Sequence, residues 1–241
     1  MVTSSAADDV LVADVRAALA AAGDPEVAAQ QQAYMKSAMP YYGLPAPRLR
    51  AELRPLLREW RPGSRAQWRA TVLALWNDAT HREEWYAAIA VARHRRARTW
   101  RDRDSLDLWR QLVVTGAWWD VVDDVATHLV GDVVREHRPD ATPVVCAWAE
   151  DDDLWLRRTA LICQIGHREE TDLELLRHAI EVNVDDPSFW VRKAVGWALR
   201  QHARTDPDWV RTEVARLGDR LSGLSRREAL KNLSHRRSPG W

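Results

Sequence analysis

The segments Trp85-Tyr-Ala-Ala-Ile-Ala, Trp155-Leu-Arg-Arg-Thr-Ala and Trp190-Val-Arg-Lys-Ala-Val look alike, and their leading tryptophans stand 70 and 35 residues apart. A further member is expected near residue 120, where Trp118-Trp119-Asp120 stands. Self-similarity at a period near 35, with another helical segment before each copy, marks an α-solenoid. One helix pair cannot bury both its faces, whereas stacked pairs share a continuous core. Apolar residues recur at three and four almost throughout, as in Leu49, Leu53, Leu56 and Leu57, and no sustained alternation of strand type occurs, so the class is all-α. Gly43-Leu44-Pro45, Arg61-Pro62-Gly63, Asp140 to Pro143, Asp185-Asp186-Pro187 and Thr205-Asp206-Pro207 read as helix–helix connections. No polar linker breaks the register. Residues 1–241 therefore read as one domain, with about eight residues at each end expected to be flexible.

Charge is informative through its placement. The 35 basic and 35 acidic residues cancel, and only Lys36, Lys193 and Lys231 of the basic set are lysines. Six arginines lie between Arg93 and Arg103 against one acid, and Ser188 to Arg204 holds four cations and no acid. Residues 118–153 hold ten acids against Arg135 and Arg138. Separate basic blocks in a neutral chain can make one face attractive to DNA, although a solvated helix face explains any single block equally well. No apolar stretch approaches the roughly 20 residues a membrane span needs. Cys146 and Cys163 give no disulfide framework, so a reducing cytoplasm is the expected location.

Equivalent positions of stacked repeats fall in a row. Trp119 and Asp123 are four apart and share a helix face, whereas Asp120 and Asp124 turn away from it. Arg158 follows Trp155 by three, Lys193 follows Trp190 by three, and Trp197 and Arg200 lie seven and ten beyond Trp190. A carboxylate, cations and indoles could thus line a single concave surface suited to a nucleic-acid groove. With 14 tryptophans and one phenylalanine, indole also serves as the chain's large apolar filler, so core packing is the first expectation for a repeat-start Trp, ahead of ligand contact. The eight histidines form no HExxH and no Cys/His cluster of metal spacing, and no metal or cofactor is expected. There is no GxSxG, phosphate-binding loop or GxGxxG. The run Asp151-Asp152-Asp153 reads as a helix cap.

These residues resemble the AlkD-type DNA alkylation repair glycosylases, a HEAT-like repeat family. Tyr34-Met35-Lys36 with Tyr42-Gly43 and Arg48 is similar to the family's opening segment, and Leu75-Trp76 with Arg82-Glu83 to its early repeat. Trp118-Trp119-Asp120-Val121-Val122-Asp123 resembles its Trp-Trp-Asp-x-Val-Asp signature. Trp155 to Ala160 and Lys193-Ala194-Val195-Gly196-Trp197-Ala198-Leu199-Arg200 complete the likeness. The resemblance implies a HEAT-like superhelix with a concave DNA-binding face. It implies that Asp123 is the catalytic carboxylate, that Trp119 and Trp197 flank the lesion, and that Arg158 contacts the DNA backbone. Lys193 and Arg200 would be further backbone contacts, and Tyr34 would lie near the same cleft. The loop Gly43 to Pro47 departs from relatives with polar residues there, so no DNA contact is carried over to it.

The expected substrate is duplex DNA bearing purines alkylated at N3 or N7, with the chain acting as a monomer in base excision repair. Such a base is cationic and leaves neutral, so no general acid is needed. A fixed carboxylate can stabilise the oxocarbenium-like sugar and orient water, while indole faces favour the cation. An open groove fits excision without base flipping. The competing expectation is a non-catalytic HEAT-like module that binds DNA or a protein.

Overall fold

The structure, a computed structural model, describes residues 6–233, and no strand occurs among them. The chain divides into two compact units, Met1–Arg101 and Asp102–Trp241. The flexible ends expected from sequence fall mostly on residues 1–5 and 234–241, outside the described residues. Asp8, counted with the flexible end, is held: its carboxylate caps the first helix and accepts from Trp60 Nε1 at 2.9 Å.

The first unit holds α1 (Asp9–Ala21), α2 (Pro25–Met35), α3 (Ala46–Glu59), α4 (Arg65–Asn77) and α5 (Arg82–Ala92). Its principal pairing is α4 on α5, with α1 lying against α3, α4 and α5. The connection before α3 is clamped from α5. Buried Glu83 accepts from the backbone N–H groups of Tyr42, Gly43 and Leu44 at 2.9, 2.9 and 3.1 Å. Gly43 has φ +94°, and a Cβ there would lie 2.0 Å from the Asp24 carbonyl oxygen, so only glycine fits. The Tyr42-Gly43 and Arg82-Glu83 likenesses are thus two halves of one structural clamp.

The second unit holds α6 (Leu106–Gly116), α7 (Trp119–Asp124), α8 (Gly131–Glu136), α9 (Arg138–Ala149), α10 (Leu154–Ile162), α11 (Leu173–Glu181), α12 (Phe189–His202), α13 (Pro207–Leu217) and α14 (Gly223–Leu230). Short connections pair α9 with α10, α11 with α12 and α13 with α14. Because α10 packs on α12 and α12 on α14, while α9 packs on α11, the pairs stack in register. This is the HEAT-like arrangement that the 35-residue period predicts. Asp153, Asp172, Ser188, Asp206 and Ser222 cap their helices through side-chain oxygens, each worth about 1 kcal/mol.

One sequence-predicted connection is corrected. Asp140 to Pro143 lies inside α9, and the break comes earlier, at His137. Pro139 sits in the first turn, where its missing N–H is no loss, and Pro143 forfeits a single bond to the Pro139 carbonyl. A wide π-helical turn, Val125–Val130, joins α7 to α8.

Candidate active site

The π turn begins two residues after Asp123, and the Thr127 hydroxyl donates to the Asp123 carbonyl at 2.7 Å. Helix α7 is short, so the position of Asp123 depends on what meets its side chain. That partner is Arg158 of α10. Its Nε donates to one carboxylate oxygen and its Nη2 to the other, both at 2.8 Å. The third direction of the guanidinium is used by a bond from Nη1 to the Trp190 carbonyl, also 2.8 Å. Arg158 is only 4% exposed and the Asp123 side chain 18%. The arginine is therefore fixed from two sides, and the carboxylate is fixed by the arginine. Such a forked pair specifies orientation as well as charge. Each carboxylate oxygen keeps a lone-pair direction for a further partner.

Burial pushes the Asp123 carboxyl above the usual aspartate range, the Arg158 guanidinium opposes that, and Asp120 adds to the rise. Asp124 is directed elsewhere, toward His128 at 3.6 Å.

An indole cluster adjoins Arg158 through Trp190. Trp118, Trp155 and Trp190 form a cluster with centroid separations of 6.1, 5.4 and 5.5 Å. The Arg158 guanidinium carbon lies 5.8 Å from the Trp190 ring centroid, within cation–π range. Trp118 Nε1 is buried without a hydrogen-bond partner among the described residues. Trp119 opens α7, and Trp197 lies halfway along α12; both are half-buried. The rings that touch one another here are thus the N-terminal indoles of the repeats. The sequence favours core packing over ligand contact for repeat-start tryptophans.

The remaining sequence-predicted residues separate into two places. Lys193 and Arg200 are brought together by a residue that the sequence did not single out. Glu228 of α14 accepts from Lys193 Nζ at 2.6 Å and from Arg200 Nη1 at 2.7 Å. The two cations draw the Glu228 carboxyl below its ordinary range, Lys193 being the stronger influence. Tyr34 lies on α2 of the first unit and is 78% exposed. The signal for Glu228 was the period itself. Asp123, Arg158, Lys193 and Glu228 stand 35 residues apart in succession, and the ion pairs join neighbours in that row.

Gly196 explains why α14 reaches this row. A Cβ there would meet Glu228 Cβ at 2.5 Å and the Ser225 carbonyl oxygen at 2.8 Å, so α12 and α14 touch at backbone distance. Ser225 locks the contact by donating to the Arg192 carbonyl at 2.8 Å.

Among the described residues no group of three or more His, Cys, Asp or Glu is placed to hold a metal ion, and no helix is long and apolar enough to cross a membrane. No curated protein gives a significant match. A solved structure from Enterococcus faecalis, described as a predicted DNA alkylation repair enzyme, superimposes with a TM-score of 0.77 and is 32% identical. The likeness covers 88% of this chain and 97% of that one. Residues 15–233 match the family described as DNA alkylation repair enzyme, and the chain, with its HEAT-like helix pairs, belongs to that family.

Proposed function

We propose that this DNA alkylation repair protein is a glycosylase that hydrolyses the N-glycosidic bond of N3- or N7-alkylated purines in duplex DNA. The observation that carries this reading is a half-buried carboxylate held by a forked arginine beside three clustered indoles. Asp123 sits where it can place fixed negative charge beside a deoxyribose, and it need not reorganise as positive charge develops. Indole faces favour the same cation and exclude water. The leaving base carries its own positive charge, so a single carboxylate suffices and no second group must donate a proton. Trp119 and Trp197 serve as the walls on either side of the lesion.

Arg158 has a different task in this proposal from the phosphate contact that the resemblance implies. Its guanidinium is enclosed and its bonds are directed to Asp123 and the Trp190 carbonyl, so it orients the catalytic carboxylate. Lys193 and Arg200 face DNA phosphates as a pair whose charge is moderated by Glu228, and Tyr34 adds a contact from the first unit. The protein works as a monomer, in the cytoplasm where the chromosome lies, without a cofactor and without flipping the base.

A second reading has one observation in its favour. Lys193 and Glu228 repeat the ion pairing of the row at the same period, so Asp123–Arg158 also serves as an ordinary strut between repeats. A non-catalytic module that binds DNA or a protein would have such struts alone. Incubation with methylated duplex followed by alkali separates the two. Strand breaks at abasic sites require the glycosylase, and binding without breaks requires the module.

A further inference from the structure

The second unit carries a partly open pocket of about 420 Å³ at the C-terminal ends of α10 and α12. Along α12 the lining begins at Ala198, about 12 Å of helix axis from Trp190, and reaches His202, about 18 Å from it, so this pocket lies toward the other end of that helix from the Trp190–Arg158 contact. Its volume falls within the range of small-molecule sites. The apolar part of the lining comes from Leu161, Ile165, Leu176 and Ala198. Arg168 and Arg204, both exposed, line the same space, with Glu169 as the acid among the lining residues. Among the described residues neither arginine side chain has a hydrogen-bonded or ionic partner.

His202 completes the wall. It is 8% exposed, and neither ring nitrogen has a hydrogen-bond partner among the described residues. Burial holds the imidazole below its ordinary pKa, with Asp206 opposing weakly, so the ring is neutral and offers one donor and one acceptor. The connection that lines one side of the pocket is fixed by hydrogen bonds of its own. The Gln164 side chain accepts from Asp172 N at 2.6 Å and donates to Asp172 O at 3.0 Å, and His167 Nε2 meets the Gly131 carbonyl at 3.1 Å.

We propose that this pocket is a second binding site, separate from Asp123, that takes an organic phosphate with the phosphate on Arg168 and Arg204 and the organic body against the apolar lining and His202. Unpaired guanidinium groups suit a phosphate's fixed oxygens, and a neutral imidazole with Gln201 and Thr205 can hydrogen-bond a polar ring. The phosphate can belong to a free small molecule or to a DNA backbone, and the two sources are separable by experiment.

The test uses the full chain with adenosine monophosphate and inorganic phosphate in calorimetry, and an unmodified duplex in fluorescence anisotropy. Wild type is compared with the double variant Arg168→Ala/Arg204→Ala and with His202→Phe. Both altered arginines are exposed, so the double variant folds, and a thermal melt checks it. The expected result is adenosine monophosphate binding that weakens at least about tenfold in the double variant. His202→Phe weakens the nucleotide while leaving inorganic phosphate unchanged. Unaltered duplex affinity in the double variant assigns the site to a free phosphorylated molecule, and a fall in duplex affinity assigns it to the backbone. Nucleotide binding that is equal in wild type and double variant overturns the proposal. So does the absence of nucleotide and phosphate binding at millimolar concentration together with unchanged duplex affinity. Base release at saturating duplex, compared for wild type and Asp123→Asn, is a separate readout of Asp123.

Discussion

Asp123 is defined by Arg158 more than by its own helix. Changing Arg158 to alanine leaves a half-buried carboxylate without its counter-charge, and the expected loss of stability is about 3–5 kcal/mol by urea denaturation. Arg158→Lys is the sharper probe because it keeps the charge but cannot span both oxygens. Base release is expected to fall roughly tenfold or more, with folding retained. The pH profile gives the sign. Catalysis needs the carboxylate ionised, and burial raises its pKa, so activity is lost on acidification at a pH above that of an exposed aspartate. Arg158 holds that pKa down, so in Arg158→Lys the acid limb moves to higher pH. An acid limb that stays in place would show that Arg158 does not govern Asp123. At this scale the sequence was partly legible. The shared face of Trp119 and Asp123 follows from a four-residue spacing, and the exclusion of Asp124 from a turn of about 100°. The direction of Arg158 did not follow, because an arginine three residues after a repeat-start tryptophan can point at a phosphate or at a neighbouring repeat. Only packing chooses between them.

Helix α14 closes the row of equivalent positions, and two residues on it and its neighbour decide how. Gly196 admits the close approach of α12 and α14. Gly196→Ala places a methyl group against Ser225 backbone and Glu228 Cβ, and a loss of about 1–3 kcal/mol is expected in urea denaturation. Glu228 moderates Lys193 and Arg200. In Glu228→Gln both cations lose their counter-charge, so duplex affinity should rise at low salt. The slope of log affinity against log salt should steepen by about 1–2. An unchanged slope would mean that neither cation meets a phosphate. The glycine was visible in the Lys-Ala-Val-Gly-Trp segment and the period was visible in the tryptophans, yet their product, the Asp123–Arg158 and Lys193–Glu228 pairing, needed the register of whole helices. The π turn after Asp123 left no mark, since its apolar spacing over six residues reads like ordinary helix.

Across the described residues the helical class and the repeat could be read from spacing, and four of the five connections named from sequence fall between helices, because capping and turn residues are local chemistry. Pro143 misled because proline is a stop signal in sequence but tolerable one turn into a helix. Burial of histidines was not readable at all. His94, His167 and His202 are buried, and burial holds each below its ordinary pKa. The unfolded chain binds protons at these sites near pH 6.5 while the native state resists, so stability falls as pH drops below about 6.5. Urea midpoints at pH 7.5 and 5.5 check this, and an equal or higher midpoint at 5.5 would contradict it.

The central claim, that Asp123 performs glycosyl bond cleavage, is tested most directly by one comparison. Release of 7-methylguanine from a methylated duplex is measured for wild type and Asp123→Asn, with duplex affinity and thermal melts recorded for both. A drop of about a hundredfold or more in release, with affinity and folding retained, is the predicted result. Equal rates of release from the two proteins would contradict the account.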